Sequence, residues 1–162
     1  MGRQRGSLKC VIADDSALSR KIVRNALKDC GFSKVLEAAS GREALRVIDA
    51  STDLVITDWN MDGMSGIELV QRVRASELPK MPILVLTART TADDVREAIA
   101  AGANDFVAKP FTPQRLREKV MEALGLDRET PAANAEDAAG GSATAPSPGN
   151  TPPPDGAERA AA

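Results

Sequence analysis

The chain has 162 residues, of which 23 are acidic and 21 basic, and it contains no histidine. That length allows one ordinary domain, and the absence of histidine excludes a histidine base, a histidine phosphoacceptor and most zinc sites. A net charge of −2 argues against nucleic-acid binding. No apolar stretch approaches the roughly 20 residues of a membrane helix, and no signal-peptide core is present, so we expect a cytoplasmic protein that binds no membrane.

Short apolar runs alternate with amphipathic stretches along the chain, a pattern typical of repeated βα units. Strands are predicted at residues 9–13, 34–38, 54–57, 83–86 and 105–108. The first, third and fourth are rich in Val, Ile and Leu, which indicates strands that are covered on both faces. The second and fifth carry more polar or small residues, so we expect them at the edges of the sheet.

Five helices are predicted after these strands, each opened by a residue able to cap it. The first runs from Ser16 to a stop at Gly31, the second from Ser40 or Gly41 through 48, the third over 65–76, the fourth over 91–101 and the last from Thr112 to 124. The side chains expected to face the core are Leu18, Ile22, Val23, Ala26 and Leu27 in the first helix, Ala44, Leu45 and Ile48 in the second, Ile67, Leu69, Val70 and Val73 in the third, Val95, Ala98 and Ile99 in the fourth, and Leu116, Val120, Met121 and Leu124 in the fifth. The fourth helix is the least apolar, so we expect it to be mobile. Strict alternation of five strands and five helices predicts a doubly wound α/β fold with a five-stranded parallel sheet.

The composition changes at residue 127, where Ala, Pro, Gly and Ser begin to dominate and aromatic residues are lacking. Six acids against two arginines give residues 127–162 a net charge of −4 and leave +2 for residues 1–126. A segment of this kind cannot bury enough apolar surface to offset its ordering entropy. We therefore expect a flexible N-terminus at 1–6, one folded domain at 7–126 and a disordered tail at 127–162. Cys10 and Cys30 are expected to be reduced thiols.

Polar side chains follow four of the predicted strands. Asp14 and Asp15 follow the first strand, Asp58 the third, Thr87 the fourth and Lys109 the fifth. The carboxyl ends of parallel strands share one edge of a sheet, where open α/β folds build their sites. Two carboxylates about 5 Å apart repel by roughly 3 kcal/mol at an effective dielectric near 20, and a cation removes that repulsion.

Oxygen ligands without His or Cys favour magnesium, manganese or calcium, and magnesium is the usual choice where phosphate also binds. The alternative for Asp14 and Asp15 is that they merely cap the following helix. Asp58 is predicted to be a carboxylate nucleophile that accepts a phosphoryl group, unless it is an ordinary loop acid. Thr87 and Lys109 would then bind the phosphoryl oxygens through a hydroxyl and an ammonium.

These residues and their neighbours resemble the receiver domain of bacterial response regulators. The resemblance rests on Asp14-Asp15-Ser16, Asp58-Trp59-Asn60-Met61, Thr87-Ala88, Ala101-Gly102-Ala103 and Lys109-Pro110-Phe111, and it spans residues 8–124. It implies a flavodoxin-like fold with strand order 2-1-3-4-5. It also implies a domain that takes a phosphoryl group from a histidine kinase and signals by contacting another protein. Such a domain is not an enzyme beyond Mg²⁺-dependent self-phosphorylation and autodephosphorylation.

The resemblance also implies roles for individual residues. Mg²⁺ would be bound by Asp15, Asp58 and the backbone carbonyl of Asn60, with Asp14 acting mainly through water. Asp58 would be phosphorylated, Thr87 and Lys109 would bind its oxygens, and Thr87 and Phe106 would form the switch. The Lys109–Pro110 bond would be cis. The surface read by a downstream target would be the fourth helix, fifth strand and fifth helix, with Arg96, Phe106, Lys119 and Glu122, and we expect a monomer or a weak dimer.

The chain departs from the receiver pattern at two positions. Asp62 and Gly63 stand where the family usually has Pro after the Met of the phosphorylation loop, which should loosen the loop and add an acid near the metal. Phe106 lacks the hydroxyl of a tyrosine switch. A receiver-like docking module that acts without phosphorylation therefore stays open as an alternative. A phosphatase with an aspartyl nucleophile is disfavoured, because Asn60 stands where that class has its second acid.

Overall fold

The structure, a computed structural model, describes residues 6–126. The segment 127–162, for which a disordered tail was predicted, lies outside the described residues, as do residues 1–5 of the predicted flexible N-terminus. Along the described part, strands and helices alternate as expected for βα units. No helix in this part combines the length and the apolar character needed to cross a membrane.

Five parallel strands form a single sheet. They are β1 (Leu8–Ala13), β2 (Phe32–Ala38), β3 (Leu54–Asp58), β4 (Ile83–Thr87) and β5 (Asp105–Ala108). Their order is β2-β1-β3-β4-β5, which confirms the order that the resemblance implied. The three central strands are buried along their whole length, whereas β2 and β5 at the edges are partly exposed, as predicted. β2 begins at residue 32, two residues earlier than predicted.

Five helices cover the two faces of this sheet. They are α1 (Ala17–Leu27), α2 (Gly41–Val47), α3 (Gly66–Arg74), α4 (Ala92–Ala101) and α5 (Pro113–Ala123), and a single 3-10 turn (Lys28–Cys30) follows α1. The predicted capping residues are confirmed, because each side chain accepts a hydrogen bond from the backbone N–H three residues later: Ser16, Ser40, Ser65, Thr91 and Thr112. Gly31 ends the turn after α1 with a φ of +86°. The third helix ends at residue 74 rather than 76.

The core has two layers, one on each face of the sheet, because successive strand side chains point to opposite faces. Val11, Val55 and Val85 pack on one face with the apolar side of α3. Cys10 and Ile12 lie on the other face with apolar residues of α1 and α5. Both cysteines are buried free thiols, as expected, and burial raises the pKa of each. These layers fix the strand ends at which the polar residues stand.

The prediction of inward-facing side chains was wrong at three positions. Leu18 is 68% exposed and Ile22 42% exposed, although Val23 and Leu27 of the same helix are buried. Successive residues of a helix are about 100° apart around its axis, so the apolar residues from Leu18 to Leu27 form a stripe that covers about 180° of the surface of α1. The centre of the buried residues lies roughly 130° around the helix from Leu18 and roughly 90° from Ile22. The sheet therefore covers only one side of the stripe.

The same geometry applies to α4, where Ile99 is 48% exposed. The buried residues of this helix are Asp94 and Ala98. Ile99 lies about 120° around the helix from their midpoint. A helix that buries so little apolar surface is weakly anchored by packing, so polar contacts at its ends carry more of its positioning.

Candidate functional site

An acidic cluster lies at the carboxyl ends of β1 and β3. These strands are neighbours, with Ala13 opposite Thr57, so Asp14 and Asp58 stand side by side at the edge of the sheet. Carboxylate oxygens of Asp14, Asp15 and Asp58 all lie within 4.8 Å of one another. Asp14 and Asp58 are buried and Asp15 is exposed. The structure thus brings together the three acids predicted from the sequence.

The carboxylate of Asp14 is held by the chain that follows it. Its Oδ1 accepts from the backbone N–H of Ser16 at 2.8 Å, and its Oδ2 accepts from the hydroxyl of Ser19 at 2.5 Å. Arg20 donates to the backbone carbonyl of Asp14 at 2.7 Å. Ser16, and not either aspartate, caps α1. The helix-cap alternative for the two acids is therefore not supported by the observed contacts.

Lys109 places its ammonium among these acids. Its Nζ lies 3.1 Å from Asp58 Oδ1 and 3.6 Å from Asp14 Oδ2. Its backbone N–H donates to the carbonyl of Thr87 at 2.7 Å, which fixes the start of the loop after β5 against β4. The peptide bond from Lys109 to Pro110 is cis, as the resemblance implied. Lys109 is thus positioned from its backbone as well as through its side chain.

The electrostatics of the cluster favour a further positive charge. Burial raises the pKa of Asp58, and Asp14 adds to that rise, while the hydrogen bond and charge of Lys109 oppose it. Three acids and one ammonium leave the cluster net negative when all are charged. Carboxylate oxygens are the ligands that Mg²⁺ prefers, and a divalent cation would remove the remaining repulsion. The residues present therefore fit the magnesium ion that the sequence predicted.

The remaining predicted site residues lie around this cluster. Thr87 is buried at the end of β4, where its hydroxyl accepts from the N–H of Arg89 at 2.8 Å and donates to the Arg89 carbonyl at 3.2 Å. Among the described residues, no hydrogen bond joins Thr87 to Asp58. Asn60 is exposed in the loop after β3. Phe106 is half-buried on β5 and packs on the core layer that contains α3.

The loop after β3 is shaped by a close approach of α3. A Cβ on Gly66 would lie 2.1 Å from the carbonyl oxygen of Asp58, so only glycine fits at this position. The N–H of Gly66 donates to the carbonyl of Trp59 at 2.9 Å. Asp62 is exposed and is not part of the three-acid cluster, so the expected extra acid near the metal is not observed there. Gly63 has a φ of +81°, which few other residues adopt.

One contact at the site was missed from the sequence. The guanidinium of Arg89 lies over the ring of Trp59, 5.1 Å from its centroid, and pairs with Asp94 Oδ1 at 2.8 Å. The sequence features that could have indicated this contact are a basic residue two positions after Thr87 and an acid in the first turn of α4. Pairing between residues of different loops follows no sequence period, so the sequence alone could not join them.

A doubly wound parallel sheet with an acidic cluster and a lysine at its carboxyl edge defines an α/β protein suited to bind a cation and a phosphoryl group. The model of the response regulator receiver domain matches residues 10–121. The chain therefore belongs to the response regulator receiver family, as the sequence motifs predicted. Receiver domains bind Mg²⁺ at an acidic pocket, take phosphate from histidine kinases and act on downstream targets.

The similar proteins include free-standing members of the family. The chain is 44% identical over 115 residues to the chemotaxis protein CheY of Pseudomonas aeruginosa, covering 70% of this chain and 93% of that one. It is 42% identical over 123 residues to CheY1 of Helicobacter pylori, with 74% and 99% covered. The solved structure of CheY4 of Vibrio cholerae has a TM-score of 0.67 at 39% identity, with 72% and 98% covered. The domain is thus a receiver of the CheY type, part of two-component signalling.

Proposed function

We propose that this chain is a cytoplasmic response regulator of a chemotaxis- or motility-type phosphorelay, phosphorylated on Asp58. The observation that carries the proposal is the position of Asp58, buried at the end of β3 with Lys109 Nζ 3.1 Å from its Oδ1 and two further acids beside it. The arrangement offers a nucleophilic oxygen, a countercharge and ligands for a cation in one place. Relatives named for chemotaxis, which match this chain over nearly their whole length, support the pathway type.

The transfer step follows from this geometry. A carboxylate oxygen of Asp58 attacks the phosphorus of a phosphohistidine on the kinase; the new O–P bond forms as the P–N bond breaks, and the leaving imidazole takes up a proton. The ammonium of Lys109 stabilises the negative charge that develops on the phosphoryl oxygens. Mg²⁺, bound by Asp15, Asp58 and the Asn60 carbonyl with Asp14 acting through water, would supply further charge neutralisation.

The response to phosphorylation is proposed to run through Thr87 and Phe106. A phosphoryl group adds about −1.5 to −2 charges and new acceptor oxygens beside β4. The Thr87 hydroxyl then breaks its two hydrogen bonds to the Arg89 backbone and forms one to the phosphoryl group. Phe106 repacks into the space that Thr87 leaves. Signalling is a shift of population between these two packings.

The proposed target-binding surface consists of α4, β5 and α5. A cavity of about 380 Å³ between β5 and α5 supports this choice, because Phe106, Phe111, Arg115 and Lys119 offer apolar and cationic groups along it. Lys119 is paired with Asp105 at 2.7 Å and Glu122 at 3.0 Å, so these charges are already ordered. The chain would act as a monomer or weak dimer, and residues 7–126 would suffice for phosphoryl uptake.

The experiment is uptake of the phosphoryl group from acetyl phosphate with Mg²⁺, compared between the wild-type protein, Asp58→Asn and Asp62→Asn. The two variants make the same chemical change at the end of β3 and in the loop that follows it, but only Asp58 belongs to the acidic cluster. We expect D58N to abolish uptake and D62N to retain it. If the wild-type protein takes up no phosphoryl group and a partner binds D58N as well as wild type, the chain is a docking module instead.

A further inference from the structure

The loop between β4 and α4 contains an interaction that the proposed transfer step does not use. The guanidinium of Arg89 stacks over Trp59, the residue directly after Asp58, with 5.1 Å between the guanidinium carbon and the ring centroid. The same guanidinium pairs with Asp94, in the first turn of α4, at 2.8 Å. Arg89 thus joins the loop that directly follows the proposed phosphoacceptor to the beginning of α4.

Both partners of Arg89 are buried, which makes the contact well defined. Trp59 is 4% exposed and Asp94 7% exposed, whereas the side chain of Arg89 is 49% exposed. The second oxygen of Asp94 accepts from the hydroxyl of Thr91 at 2.6 Å. That hydrogen bond, with the charge of Arg89, lowers the pKa of Asp94. The carboxylate therefore stays charged, and each of its oxygens has a partner.

Arg89 also holds Thr87, through its backbone. Its N–H and its carbonyl bond the Thr87 hydroxyl at 2.8 and 3.2 Å. While the side chain of Arg89 is fixed between Trp59 and Asp94, the Arg89 backbone stays in place and keeps both hydrogen bonds to the Thr87 hydroxyl. Release of the Arg89 side chain would free both the hydroxyl and the start of α4.

The opposite end of α4 has a separate anchor. Arg74 donates from Nε to the carbonyl of Gly102, which ends α4, at 2.8 Å and from Nη1 to the carbonyl of Met81 at 2.6 Å. Gly102 fits closely over this side chain, because a Cβ there would lie 2.7 Å from Arg74 Cγ. Since α4 buries little apolar surface, these end contacts position it, and the Arg89 end is the one next to the phosphoacceptor.

We propose that Arg89 is a positioning residue that latches α4 and Thr87 in the arrangement seen here. The Arg74 end acts as the pivot, and breaking the contacts of Arg89 shifts the population toward the phosphoryl-bound arrangement. The inference rests on the proposed function only for the effect on phosphoryl binding. The latch on α4 itself is a property of the unphosphorylated protein and can be tested without it.

The first test is hydrogen exchange of the full chain without Mg²⁺ or a phosphoryl mimic, in Arg89→Ala and Asp94→Asn, which break the same ion pair from either side. Arg24→Ala is the matched control, because Arg24 is 48% exposed and pairs with Glu37 at 2.9 Å, away from α4. We expect both latch variants, but not R24A, to exchange faster at amides 91–95. Arg89→Lys, which keeps the charge opposite Asp94, should restore part of the protection. Unchanged exchange in R89A overturns the proposal, even if D94N exchanges faster, because D94N also alters the carboxylate that accepts hydrogen bonds from Thr91 in the cap of α4.

The second test measures the beryllofluoride concentration that half-saturates the Mg²⁺-bound protein. Binding is monitored by the fluorescence of Trp59, the only tryptophan in the chain. R89A and D94N should each lower this half-saturating concentration severalfold, and the double variant should lower it no further than the stronger single variant. If R89A alone lowers the half-saturating concentration and D94N does not, Arg89 acts only through its charge near the site, and this result contradicts a latch. If wild-type protein binds no beryllofluoride, the proposed function fails while the exchange result still decides the latch.

Discussion

Lys109 reaches across β4 to contact Asp58, since β5, which precedes Lys109, and β3, which ends at Asp58, are not neighbours in the sheet. The 3.1 Å contact between Lys109 Nζ and Asp58 Oδ1 therefore connects the carboxyl ends of two strands that are not adjacent in the sheet. The lysine is also 3.6 Å from Asp14 Oδ2, so it neutralises part of a buried acidic pair. This contact has consequences for stability as well as for phosphoryl binding.

Replacing Lys109 by Ala should destabilise the metal-free protein, because Asp58 and Asp14 lose their countercharge. Leaving such a buried group unsatisfied costs about 1–3 kcal/mol, and urea unfolding in a chelating buffer measures it. Lys21→Ala, at an exposed position on α1, should change the free energy of unfolding by no more than about 0.5 kcal/mol. Equal effects of the two substitutions would show that the Lys109 contact contributes nothing to stability.

Magnesium should raise the melting temperature of the protein through the acidic cluster. A ligand that binds only the folded state stabilises it by about 2.7 kcal/mol at 100 times its dissociation constant. Asp15→Asn should remove most of this gain with little effect on the metal-free protein, because Asp15 is exposed. Asp62→Asn, outside the cluster, should keep the full gain in calorimetry. A D15N protein that Mg²⁺ stabilises like wild type would exclude Asp15 from the site.

Gly66→Ala should disturb the phosphoacceptor itself. The added methyl group would meet the Asp58 carbonyl oxygen at 2.1 Å, so α3 or the end of β3 must move. Overpacking of this kind typically costs about 1–3 kcal/mol, and the displaced backbone should also weaken Mg²⁺ binding. Gly63→Ala is the control: it meets no atom within 4 Å and adds only backbone strain. Loss of Mg²⁺ affinity in G63A but not in G66A would contradict the importance of the close approach.

The stability of the protein toward acid should depend on Asp49. Lys9 Nζ lies 2.8 Å from both oxygens of Asp49, and this hydrogen bond, followed by those from Ser51, holds the Asp49 pKa well below its ordinary value. A carboxyl whose pKa is lowered by folding stabilises the protein above its unfolded pKa of about 3.9, and that contribution disappears as the pH falls through the folded pKa. Asp49→Asn should therefore be less stable at neutral pH and lose less stability on acidification.

Urea unfolding between neutral and acidic pH measures this slope. Asp93→Asn provides the comparison, because Asp93 is 93% exposed and pairs only with Arg96 of its own helix among the described residues. Its acid dependence should follow that of wild type. An Asp49 variant whose stability falls with pH as steeply as wild type would rule out the contribution of the Lys9 contact.

The strand ends and caps could be predicted from the sequence because their signals are local. Runs of Val, Ile and Leu marked the buried strands, and Ser65 or Thr91 before a helical pattern marked a cap. Parallel packing then places every strand end at one edge, so the meeting of Asp14, Asp58 and Lys109 followed from the order of elements. The roles of Asn60, Thr87 and Phe106 rest on the resemblance and stay predictions.

What the sequence did not reveal depends on tertiary geometry. The helical period places Leu18 at one edge of a wide apolar stripe that includes Val23 but does not say how much of the stripe the sheet covers, so the exposure of Leu18 was missed. Lys9 lies in a strand, yet its buried ammonium is paired with Asp49 from a distant loop. Arg89 contacts Trp59 in the same long-range way. Such pairs depend on how loops approach one another in space.

The most direct measurement is the position of the phosphoryl group after reaction with acetyl phosphate and Mg²⁺. Reduction of the acyl phosphate with borohydride, followed by peptide mass spectrometry, marks the modified aspartate. The buried position of Asp58 beside Lys109 predicts one modified residue, Asp58, and none in the D58N variant. Modification of Asp14, Asp15 or Asp62 in place of Asp58, or unchanged labelling of D58N, would contradict the assignment of Asp58 as the phosphoacceptor.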